Sequence, residues 1–187
     1  MVPLSMLWIP ILVSAAFVFV ASSIVHMVLT YHRSDYRMFP SEGEVMEGLR
    51  RFGIPPGDYV MPHAASPKDM SSSAFREKRA RGPVMIATVI APGEVSMGPQ
   101  LAQWFGFCVL VSLFAGYVAS RALPPAADYL DVFRFAGTVA FVGYGLGQWP
   151  QSIWFRRAWS STLKNTFDGL VYALLTAGVF GWLWPAA

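Results

Sequence analysis

Three histidines, His26, His32 and His63, are the side chains of this sequence best suited to hold a metal ion or move a proton. Asp35 and Asp58 lie near them along the chain and add carboxylate oxygens of the type that completes such a site. The spacing does not by itself assemble them. His26 and His32 are six residues apart, whereas two ligands on one helix face are four apart. A site therefore requires the chain to fold His63, and with it Asp58, back onto His32 and Asp35. On spacing alone, separate surface histidines are the favoured reading, because no known ligand pattern is met. A bis-histidine haem is disfavoured, since only His26 lies near an apolar run. The single cysteine, Cys108, excludes an intrachain disulfide and a four-cysteine metal site, and its apolar neighbours mark it as a buried thiol. There is no phosphate-binding loop, dinucleotide fingerprint, HExxH or GxSxG. The pattern assigns no catalytic residue and no cofactor.

A second set of polar residues sits inside apolar sequence. Ser22, His26 and Thr30 recur every four residues, which makes a stripe that faces other helices. Asp131 and Arg134 are three apart and can pair at a helix boundary. Asp168 reads as the start of a helix, where a carboxylate favours the positive end of the helix dipole.

These residues are carried by unusually apolar elements. Of 187 residues 55% are hydrophobic and 13% charged, with a mean hydropathy of +0.44; soluble domains average about 25% charged. Crossing about 30 Å of hydrocarbon takes roughly 20 apolar residues as a helix. Four stretches meet that need, at about 4–29, 100–123, 129–148 and 167–184. The first has no basic n-region and is longer than a signal-peptide core, so an uncleaved helix is expected. The expected fold is an all-α integral membrane protein of four transmembrane helices in one membrane domain. A structured cytoplasmic loop, about 31–97, joins helices one and two and is too short to be an independent domain.

Charge sets the expected orientation. Residues 31–82 hold nine of the fourteen Lys and Arg, and the connection between helices three and four adds Arg156, Arg157 and Lys164. Both connections fall on one side of a four-span arrangement, which the positive-inside bias makes cytoplasmic. The location implied is a bacterial-type inner membrane with both termini outside. Trp149, Trp154 and Trp159 mix with Arg156 and Arg157 in "WPQSIWFRRAW", a composition suited to lying along a membrane surface. Arg76, Lys78, Arg79 and Arg81 form a second basic run, able to attract anionic lipids at about 1 kcal/mol per residue. No recognition fold accompanies these charges, so nucleic acid is not an expected partner.

Inside the loop, "SEGEVMEGLRRFG" reads as a helix opened by Ser41 with Glu44 completing a capping box and closed at Gly53. Pro55 and Pro56 forbid its continuation, and Gly57-Asp58 reads as a turn. A short strand or a segment embedded in the membrane surface is expected around "PVMIATVIAPG". Gly143 with Gly147, and Gly178 with Gly181, are spaced for close helix contact within the bundle or between subunits. The function these features suggest is a non-enzymatic accessory or structural subunit, packing as a homo-oligomer or within a larger membrane complex. The alternative is a membrane enzyme or metal- or cofactor-binding protein with its site at the cytoplasmic end of helix one. A small transporter is a second alternative.

Overall fold

The computed structural model describes residues 1–94 and 96–186. The chain divides into two units, Met1–Tyr36 with Ser96–Ala187, and Arg37–Val95. The larger contains helices α1 (Trp8–Met27), α5 (Gly98–Ala122), α6 (Tyr129–Tyr144), α7 (Trp149–Ile153) and α8 (Trp159–Trp182). The smaller contains α2 (Glu42–Arg50), α3 (Pro67–Met70), α4 (Ser73–Arg81) and strands β1 (Gly57–Met61) and β2 (Met85–Val89).

Two helices, α1 and α5, are long and apolar enough to cross a membrane. Pro99 sits in the first turn of α5, where its missing N–H costs nothing. The other two long helices depart from the expected segments. Helix α6 ends at Tyr144, and Leu146–Gln148 forms a tighter 3-10 turn. Helix α8 begins at Trp159, eight residues before the apolar run, because its polar first turns are satisfied by protein. Thr162 hydrogen-bonds Ser152 of α7 at 2.6 Å, and Trp149 donates to Thr166.

The four long helices pack as a bundle in which α1 meets α5 and α8, and α6 meets α5 and α8. Its core is made of small and polar side chains. On α1, Ser14, Ala15, Val18, Ser22 and Val25 are buried, while Leu12, Phe17, Val20 and Ile24 are exposed. On α5, Ser112, Ala115, Gly116, Ala119 and Ser120 are buried, while Leu110, Phe114 and Tyr117 are exposed. Small residues let backbones approach, and serines bridge them: Ser14 donates to Ser112 at 3.0 Å. The closest approach is at Gly169 of α8, where an added Cβ would lie 2.6 Å from the Gly145 Cα. That contact seats α8 against the end of α6.

In the smaller unit β1 and β2 pair antiparallel from Gly57 opposite Val89 to Met61 opposite Met85. The fold is therefore mostly helical with one two-stranded antiparallel sheet, its strands joined through α3 and α4, and Gly57-Asp58 opens a strand instead of forming a turn. Helix α2 ends near Gly53, whose φ of +55° suits glycine. Its expected capping box is not formed: Ser41 is left-handed (φ 50°) and makes no side-chain cap, since an N-cap serine needs extended backbone to reach the N3 amide. Ser66 and Ser72 do adopt that geometry and cap α3 and α4.

Candidate functional site

The polar centre of the larger unit lies where the chain leaves α1. After Met27 the backbone passes through Thr30 into a 3-10 turn, Tyr31–Asp35. Residues three apart eclipse in a 3-10 helix, so His32 and Asp35 face each other, with Nδ1 and Oδ2 2.7 Å apart. Opposite them stands α8, whose Ser161, Lys164, Asp168 and Tyr172 follow one another at intervals of three, four and four along a single face.

The two elements are joined by a continuous chain of hydrogen bonds. His32 Nε2 lies 2.8 Å from Asp168 Oδ2, and Tyr31 donates its phenol proton to Asp168 Oδ1. Lys164 Nζ donates to the Tyr31 carbonyl at 2.6 Å, to Ser34 Oγ at 2.8 Å and to Asp35 Oδ1 at 2.9 Å. The Asp35 and Asp168 side chains are only 5% and 4% exposed. His32 is thus held between two carboxylates, Nδ1 facing Asp35 and Nε2 facing Asp168.

Burial alone would raise the Asp35 carboxyl. Hydrogen bonds from His32 and Lys164, with the Lys164 charge, outweigh it and hold the group at about 2. Burial raises the Tyr31 phenol, and its bond to ionised Asp168 raises it further, so it remains a donor.

His26 stands outside this chain. It is exposed, and its ring centroid lies 4.6 Å from that of His32. It lines a cavity of about 370 Å³ between α1 and α5, with Ser22, Met27, Met97, Leu101 and Trp104 on the walls. Trp104 donates to Ser22 at 2.7 Å, which fixes one side of that opening. Ligand atoms of His26, His32 and Asp168 all lie within 4.8 Å of one another. One buried hydroxyl on α8, that of Tyr172, has no partner among the described residues.

Of the five residues singled out from sequence, His26, His32 and Asp35 meet here. Asp58 and His63 belong to the smaller unit, where Asp58 Oδ1 accepts from Thr88 Oγ1 across the sheet at 2.6 Å. Sequence reasoning missed Tyr31, Lys164 and Asp168. Asp168 is the tenth residue of α8, far from the helix N-terminus to which its role was tied. The signal that could have found it is the Ser161–Lys164–Asp168–Tyr172 spacing, which carries a polar face from the polar first turns of α8 into its apolar part.

The remaining singled-out residues lie elsewhere. A Cβ at Gly143 would lie 3.2 Å from Val111, one at Gly181 would lie 2.6 Å from the Tyr129 ring, and one at Gly178 would lie 3.8 Å from the Tyr129 hydroxyl. Gly147 has open space around it. Asp131 and Arg134 pair at 3.2 Å on an exposed surface. Arg76, Lys78, Arg79 and Arg81 are exposed on α4, Arg81 pairing with Glu77 at 2.7 Å. Trp149 and Trp159 stack edge-on at 5.9 Å, Trp154 and Arg156 are exposed, and Arg157 lies over the Tyr36 ring.

The centre can do two kinds of chemistry. A histidine between two carboxylates can pass a proton along the chain, and imidazoles converging with a carboxylate can bind a cation. Compared with known proteins, the chain matches no family model, no curated protein and no solved structure.

Proposed function

We propose that the chain is an integral membrane protein of four spans whose working part is the polar centre at the end of α1, where a small ligand binds beside His26. The observation that carries this reading is His32, held between two buried carboxylates with the His26 ring beside it, 4.6 Å between centroids. Ionisable groups inside a bundle are costly and mark sites of binding or proton transfer. The bundle's small and polar interior with large apolar side chains outside is the pattern of helices packed in lipid. In the orientation set by the basic connections, the centre faces the cytoplasm of a bacterial-type inner membrane, and α6 and α8 provide the third and fourth spans.

Among the functions the sequence suggests, this favours the membrane enzyme or metal- or cofactor-binding protein over the accessory subunit. The accessory reading relied on glycine faces for assembly. Gly143 and Gly181 are used inside the bundle, against Val111 and Tyr129.

Gentle detergent extraction followed by native mass spectrometry tests the proposal. Wild-type protein is expected to carry a bound species that His26→Trp, which fills the opening, does not. Wild-type protein carrying only lipid and detergent would contradict it.

A further inference from the structure

We infer that the ligand of the polar centre is a divalent transition-metal ion held by His26, His32 Nε2 and Asp168 Oδ2, with the fourth position given to water. This rests on the ligand-binding reading above and names the chemistry of that site.

The argument begins with which atoms are already committed. Asp35 accepts from His32 Nδ1, which aims Nε2 at the site. A carboxylate behind a histidine in this way is the arrangement that fixes the tautomer and orientation of metal-ligating imidazoles. Lys164 in turn holds Asp35, bonding its other oxygen at 2.9 Å. Tyr31 does the same for Asp168: by donating to Oδ1 it leaves Oδ2 as the single oxygen offered to an ion. Each of these two ligands therefore has an outer partner, as ligands of functional metal sites do.

Distances are compatible with small adjustments. Tetrahedral ligands at about 2.0–2.1 Å from zinc lie about 3.3 Å from each other. The His32 Nε2 to Asp168 Oδ2 separation of 2.8 Å must open by about half an ångström. His26 must close from the looser side of a set whose atoms lie within 4.8 Å, and an exposed ring at a helix end can turn to do so.

The charge balance also follows. The ion replaces the proton between His32 and Asp168, so one H⁺ leaves Nε2 as one divalent cation enters. A hydroxide or an anionic group on the fourth position would offset the charge the ion brings. Three protein ligands with one exchangeable position is the arrangement of catalytic zinc sites. Two histidines with one carboxylate also suit ferrous iron.

The test uses full-length protein in mild detergent, stripped with chelator and titrated with Zn²⁺ by calorimetry, with Co²⁺ absorption reporting the ligand field. One ion per chain is expected. His26→Ala removes an exposed ligand outside the hydrogen-bonded chain, so it leaves the fold intact and should weaken binding at least tenfold. Asp35→Asn should weaken it about 10–100-fold by loosening His32. His63→Ala should bind as wild type does. No binding, or His26→Ala binding like wild type, would overturn the metal. If zinc fails while native mass spectrometry still finds a species lost in His26→Trp, the metal falls and the ligand-binding centre stands; if both fail, both fall.

Discussion

The larger unit buries six serines, two threonines and Asp168, whereas in Arg37–Val95 no described residue is buried at all. Their polar contacts differ in the same way. In the larger unit the decisive bonds join residues far apart in sequence, His32 to Asp168 and Lys164 to Asp35. In the smaller one they are local: Glu47 with Arg50, Glu77 with Arg81, and serine caps at the starts of α3 and α4. Two routes to satisfying charge follow. Local pairs in water stabilise a helix turn slightly. A distant pair without water ties two elements together, and neither partner can be lost without exposing the other.

That contrast predicts a graded series of effects. Asp168→Ala removes the carboxylate that both His32 Nε2 and the Tyr31 phenol bond, and should lower stability by about 3–5 kcal/mol. Asp58→Ala in the sheet should change it by no more than about 0.5 kcal/mol. Thermal unfolding in detergent compares the two; similar losses would erase the distinction. Next come the glycines. Gly169→Ala forces a methyl into the Gly145 backbone and should cost about 1–3 kcal/mol. Gly48→Ala, mid-helix in α2 with nothing within 4 Å, should instead stabilise α2 by about 0.5–1 kcal/mol. Unfolding of the first variant and amide exchange of α2 in the second should move in opposite directions. The smallest effect belongs to Glu77→Gln, which removes an exposed pair on α4 and should shift α4 helicity by less than about 0.5 kcal/mol.

How much of this was legible in the sequence depended on what each element needs. Helices α1 and α5 lie within about four residues of the expected segments, because one long apolar run defines each. The strand Met85–Val89 was legible from its β-branched residues, but its partner Gly57–Met61 was not, because Gly57-Asp58 reads as a turn. Helix α8 was not fully legible, since Ser161, Thr162, Lys164 and Asn165 look like a loop to any scale that assumes water is their partner. Their actual partners are Ser152 and the Tyr31–Asp35 turn. For the same reason half of the centre was hidden. His26, His32 and Asp35 are neighbours in sequence and could be named together, but Asp168 reaches His32 across 136 positions. No spacing rule spans that distance; only the packing of α1 against α8 creates it.

The most direct test of the account is the sidedness of its two ends. In a Cys108→Ser background, single cysteines at Ser34, beside the polar centre, and at Ala126, in the connection between α5 and α6, can be labelled with a membrane-impermeant maleimide. The account predicts that Ser34→Cys reacts only when the cytoplasmic face is opened, while Ala126→Cys reacts in intact cells. Labelling of both from the same side, or release of the protein from membranes without detergent, would contradict it.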